Sequence, residues 1–249
     1  MKTSTKLIII GLAILLIQPI VLGWIYKNKI KKNEYVITPA KEAGNMSGKL
    51  PDFKYIKIIS NDKSIKFNIN PADTLCYYTS SFNENNKVNV TTEMNNDTLL
   101  FNANLTNSNR SSKTIINIVT PDVQFIEANG IDLSVLAGDS NRVFNPLNLQ
   151  ALNNAEVEFE FQSITEERKR IRNPSVKKYD FIDLLIDENS AANISGSISI
   201  KKMNLVIRTT GKLNVAEDVT VDQLHTQFSN SARIVAPARF FKNNDLTNN

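Results

Sequence analysis

Residues 212–236 read KLNVAEDVTVDQLHTQFSNSARIVA, and the way this stretch repeats elsewhere in the chain decides the fold. Apolar and polar residues alternate in short segments. In VDQLHTQF (221–228), Val221, Gln223, His225 and Gln227 fall on one side, with Leu224 and Phe228 on the other. A period of two is strand geometry. Each segment meets a corner made of a turn residue, a small residue, a polar one and an aliphatic one. That pattern occurs as Asn154-Ala155-Glu156-Val157, Ala191-Ala192-Asn193-Ile194, Thr210-Gly211-Lys212-Leu213 and Ser231-Ala232-Arg233-Ile234. The small residues are 37, 19 and 21 positions apart, and Gly130 of Asn129-Gly130-Ile131-Asp132-Leu133 stands 25 before Ala155. Spacings near twenty residues suit stacked coils, in which the small residue permits a corner and the following aliphatic joins a ladder. An antiparallel β-sandwich with evenly spaced strands fits the same spacing.

The alternation extends upstream through FKYIKII (53–59), SIKFNI (64–69), KVNVTT (87–92), DTLLFNA (97–103) and TIINIV (114–119). β-branched and aromatic residues at alternate positions, bounded by Asn, Asp, Ser or Pro, predict strands and turns. No segment after residue 50 sustains a helical apolar stripe, so the domain is expected to be all-β.

The N-terminus differs. LIIIGLAILLIQPIVLGWIY (7–26) carries no charge and is followed by Lys27, Lys29, Lys31 and Lys32. Twenty apolar residues at about 1.5 Å each cross a hydrocarbon core of roughly 30 Å as one helix. With no A-x-A site after it, the run is expected to be an uncleaved single-pass signal-anchor. The expected organisation is a short tail (1–6), a transmembrane anchor (7–26), a linker (27–50), a head domain (51–242) and a disordered tail (243–249). The lysines after the run, by the positive-inside rule, would hold the head domain in the cytoplasm.

The anchor, LPDFKYIKI (50–58), FIEANGIDLSVL (125–136) and the 212–236 stretch together resemble the GIN-domain family, whose proposed role is as head domains of autotransporter adhesins in Gram-negative envelopes. The resemblance spans residues 50–240. It implies a single-stranded parallel β-helix, right-handed, behind the N-terminal transmembrane helix. It also implies a bacterial inner-membrane location with the C-terminal domain in the periplasm, against the lysine distribution. Family members carry more glycine at the corners than the eight glycines here. The function implied is adhesin-like binding or structural work at the cell envelope, with an envelope glycan or another envelope protein as partner. The rival readings are a polysaccharide-acting enzyme and a cytoplasmic-facing scaffold or envelope-stress component.

Little in the chain suggests catalysis. One cysteine, Cys76, and one histidine, His225, exclude an internal disulfide and disfavour a His/Cys metal site. His225 is expected on an outward strand face without a nucleophile to pair with, and Cys76 in TLCYYTS (74–80) as a small core residue. Glu156, Glu158 and Glu160 alternate on one strand face, with Asp180, Asp183 and Asp187 downstream; Val157, Phe159 and Phe161 make the opposite face the core, so the glutamates are expected to be solvated. No catalytic residue, cofactor or metal is expected. The one conspicuous charge run is SITEERKRIRNPSVKK (163–178), where Arg168, Lys169, Arg170, Arg172, Lys177 and Lys178 are expected on a loop that can meet an anionic ligand. Nucleic acid is not expected, because the run lacks aromatics for base stacking.

Overall fold

The computed structural model describes residues 47–60, 62–81, 88–106, 114–136, 142–160, 176–241 and 244–248. They belong to one compact unit, Ala43–Asn249. The first half contains β1 (Ser47–Lys49), β2 (Tyr55–Ile59), β3 (Ile65–Pro71), β4 (Cys76–Ser81), β5 (Val88–Asn95), β6 (Thr98–Leu105) and β7 (Thr114–Thr120). The second contains β8 (Phe125–Asn129), β9 (Asp132–Leu136), β10 (Leu147–Leu152), β11 (Glu156–Glu160), β12 (Lys177–Ile186), β13 (Ala191–Ile194), β14 (Ile198–Ile207), β15 (Lys212–Val215), β16 (Val219–Phe228), β17 (Arg233–Val235) and β18 (Asn244–Asn248). β1 lies in the stretch expected as linker and β18 in that expected as tail.

Two nine-stranded sheets result. The first runs β1-β4-β7-β3-β9-β11-β13-β15-β17 and the second β18-β16-β14-β12-β10-β8-β2-β6-β5. From β8 onward the chain alternates between them, and each strand pairs in parallel with the next one it meets. The turns between β8 and β9, β10 and β11, β12 and β13, and β14 and β15 use left-handed backbone at Gly130, Asn153 and Asn154, Glu188 and Asn189, and Thr209. Asparagine tolerates that region better than other residues with a Cβ, which accounts for corners built with so little glycine.

The expected single-stranded, right-handed parallel β-helix is therefore corrected to a pair of mixed sheets. β1 and β4 run antiparallel to their neighbours in the first sheet, as β5 does in the second. β3 sits between β7 and β9, and β2 between β6 and β8, out of sequence order. The cause is local chemistry upstream of the regular corners. Asn96-Asp97, with Asn96 at φ 53°, closes a two-residue hairpin between β5 and β6, which a repeating parallel turn does not contain.

The N-terminal expectation is also corrected. Residues 7–26 lie outside the described residues, and no helix among the described residues is long and apolar enough to cross a membrane. The single-pass anchor and the inner-membrane location with a periplasmic head are accordingly set aside.

Inward side chains of the two sheets form one apolar cluster. In the second sheet Leu99, Ile56, Ile126, Leu149, Leu184 and Leu205 stand in register on six adjacent strands, all buried. In the first, Phe67, Leu133, Val157, Ala192 and Leu213 do the same. Phe101 meets Phe67 edge-on at 6.2 Å and Tyr77 at 5.4 Å, tying the sheets together in the irregular half. After β17 a 3₁₀ turn, Ala238–Phe241, buries Phe240 against Phe241 with centroids 5.3 Å apart.

Phe101→Ala removes a fully buried ring and its edge-to-face contacts. It should cost about 3–5 kcal/mol in urea unfolding of the full chain. At Gly211 an added Cβ would stand 2.7 Å from Ile207 Cγ2 and 3.0 Å from the Ile186 carbonyl oxygen. Gly211→Ala should therefore lose about 1–3 kcal/mol, read in the same assay as a lower midpoint at unchanged slope.

Candidate functional site

Because strand side chains alternate, burying one set fixes the other on the outer face. β12 buries Ile182, Leu184 and Ile186 and so presents Phe181, Asp183 and Leu185; β14 buries Met203, Leu205 and Ile207 and presents Lys202, Asn204 and Val206. The parallel register then aligns outward residues across strands. Tyr55, Phe125, Asn148, Asp183, Asn204 and His225 occupy one continuous row over β2, β8, β10, β12, β14 and β16.

This row is chemically mixed. Tyr55 and Phe125 meet edge-to-face at 6.4 Å and form its aromatic end. Asn148, Asp183 and Asn204 are half-buried amide and carboxylate groups, and His225 is exposed. Asn148 Nδ2 donates to the Gln124 carbonyl at 3.1 Å, which fixes that side chain. Among the described residues, Asp183 and Asn204 make no side-chain hydrogen bond. Of the charges flanking the row, Lys57 pairs with Glu127 at 2.6 Å, while Lys202 is exposed with its Nζ 5.9 Å from the Phe181 ring centre. Toward the corners, a recess of about 200 Å³ is lined by Val206, Arg208, Thr209, Gln227, Phe228 and Ser229 among others.

The outer face of the first sheet is satisfied within itself. Asn68 Nδ2 donates to Asn117 Oδ1 at 3.0 Å, and Asn214 Nδ2 to Asn193 Oδ1 at 2.7 Å. Lys66 Nζ reaches Glu158 at 2.7 Å, and Ser134 Oγ donates to the same carboxylate at 3.2 Å. Amide ladders and an ion pair of this kind stiffen a face and leave few free groups for a ligand.

Of the basic run, Arg168, Lys169, Arg170 and Arg172 lie outside the described residues. Lys177 and Lys178 belong to β12 rather than to a loop. Lys177 is in register with Ile198 and Val219 and only 2% exposed, while Lys178 pairs with Ser199 and is exposed. Glu156 is exposed and Glu158 half-buried in its pair with Lys66; the Glu160 side chain lies outside the described set. Asp180 accepts from Asn145 Nδ2 at 2.7 Å, and Asp187 accepts from Thr209 Oγ1 at 2.9 Å, so both support turns. Cys76 is half-buried on β4. Among the described residues no three His, Cys, Asp or Glu side chains gather as metal ligands. The sequence reading singled out Asp183 and His225 but not Tyr55, Phe125, Asn148 or Asn204. A positional signal was available: Asn148, Asn204 and His225 each stand seven residues before a corner residue, Ala155, Gly211 or Ala232.

Burial pushes the Asp183 carboxyl above its ordinary range. The folded chain therefore holds this proton more tightly than the unfolded chain. The stability it contributes is present in acid and lost as pH rises from the unfolded value, near 4, through the raised folded one. Asp183→Asn should raise the Tm of the full chain at about pH 7 and leave it unchanged near pH 3, where the carboxyl is protonated in both states.

No protein-family model matches the sequence, and no curated protein matches it. Among solved structures, a protein from Parabacteroides merdae ATCC 43184, provisionally named an adhesin, is 13% identical; the match covers 79% of this chain and 73% of that one, with a TM-score of 0.52. Another provisional adhesin, from Parabacteroides distasonis ATCC 8503, is also 13% identical, over 77% of this chain and 72% of that one, with a TM-score of 0.52. At such identities the likeness is one of fold.

Proposed function

We propose that the chain is an adhesin-like binding protein of the GIN-domain type, which uses the outer face of its second sheet to hold an extended partner. The observation that carries this reading is the six-strand row from Tyr55 to His225, where a half-buried carboxylate and amide lack partners among the described residues. A half-buried polar group without a hydrogen bond costs stability, and a ligand that completes it recovers that cost. Two solved structures of similar fold bear provisional adhesin names, which supports the same direction. A rigid sheet suits adhesion because its side chains are ordered before the partner arrives, so little entropy is lost on contact. A second, distinct contact with an anionic group, separate from the partner held by the row, is proposed for Arg168, Lys169, Arg170, Arg172 and Lys178.

The test compares two faces of one protein. Beads coated with the full chain are scored for retention on panels of immobilised polysaccharides and protein polymers. Asn148→Ala combined with Asn204→Ala should reduce retention about tenfold or more, as expected for losing one or two hydrogen bonds of about 1 kcal/mol at each of many contacts. The control pair Asn68→Ala with Asn214→Ala, on the first sheet, should leave it unchanged. Equal loss from both pairs, or from neither, would remove the second sheet as the binding face.

A further inference from the structure

We infer that the partner held by this row is an uncharged, extended polysaccharide lying across the strands, one sugar unit to each strand. The inference rests on the binding role proposed above and names its ligand class. Adjacent strands are about 4.8 Å apart, so groups in register repeat at that interval. That interval is close to the length of one pyranose unit in an extended β-linked chain. A polypeptide added beside a sheet would instead seek a free strand edge and its backbone groups, which the middle of a nine-stranded sheet does not offer.

The chemistry along the row matches the same ligand. At one end the exposed Tyr55, met edge-on by Phe125, offers an apolar ring to the C–H face of a sugar. Asp183, acceptor-only when ionised, suits paired hydroxyl groups, and Asn204 beside it can both donate and accept. Asn148 keeps its carbonyl oxygen available while its amide is tied to Gln124. Polyuronates are disfavoured because a sugar carboxylate would face Asp183 in the middle of the row, and Lys57 beside the row is already paired with Glu127. Six strands carry the row, from β2 to β16, so about six sugar units span it.

Calorimetric titration of the full chain with cello- and chito-oligosaccharides of two to eight units tests this directly. Affinity should climb with chain length and level off near six units, and an oligogalacturonate of the same length should bind at least tenfold more weakly. Asp183→Asn should weaken the hexamer at least tenfold without lowering Tm, and Phe125→Ala should shorten the length at which affinity levels off. Flat length dependence, preference for the uronate, or an unchanged Asp183→Asn affinity would overturn the glycan assignment. If the oligosaccharides fail while Asn148→Ala with Asn204→Ala still abolishes bead retention on protein polymers, the ligand class falls and the binding face stands. If that pair also leaves retention unchanged, both fall.

Discussion

The register of buried aliphatics across the second sheet is the constraint on which the remaining structure depends. Leu99, Ile56, Ile126, Leu149, Leu184 and Leu205 meet side by side on six strands, each excluded from water. Burying one such side chain contributes about 1.5–3 kcal/mol, whereas an outward cross-strand pair contributes about 0.2–1 kcal/mol. The inner faces therefore choose the register, and the outer faces inherit it. A slip of one residue in any strand would exchange its faces. The alignment of Asn148, Asp183, Asn204 and His225 is thus a by-product of core packing, and their chemical identity remains free to vary.

Corners meet a second constraint with the same economy of glycine. Left-handed backbone at a residue bearing a Cβ costs on the order of 1–3 kcal/mol unless its surroundings hold it. Here successive corners hold one another. Asn154 donates its amide to the Glu188 carbonyl at 3.0 Å, the Glu188 amide reaches Thr209 Oγ1 at 3.0 Å, and Ser229 Oγ donates to the Thr209 carbonyl at 2.6 Å. Asn153 Nδ2 adds a side-chain bond to Asn129 at 2.9 Å. The abundance of asparagine, which gives the composition its polar cast, is partly a consequence of these turns.

The sequence disclosed the two-residue period and the corner spacing of the second half, because Ala155, Ala192, Gly211 and Ala232 are small and evenly placed. In the first half it disclosed strands such as Ile65–Pro71 and Thr98–Leu105 but not how they pair. There Asn96-Asp97 closes a hairpin, and β4 returns antiparallel to β7. Lys177 illustrates a different limit. Composition assigns it to a charge run, yet its alignment with Ile198 and Val219 places it at an inward position of β12. Glu158 is similar, since its partner Lys66 lies 92 residues away. The candidate site was only half legible, since Asn148 and Asn204 are two among many asparagines. What sets them apart is distance to the next corner, a property of the repeat rather than of the residue.

The irregular strands and the regular ones occupy opposite ends of both sheets. The antiparallel β1, β4 and β5 close one end, and the alternating strands from β8 onward accumulate toward the other. A gene duplication that inserted one further pair of strands among the regular ones would leave the closed end untouched. It would lengthen the outer face by a single step. The outer face could thus evolve in whole-number increments, without any redesign of the fold that supports it.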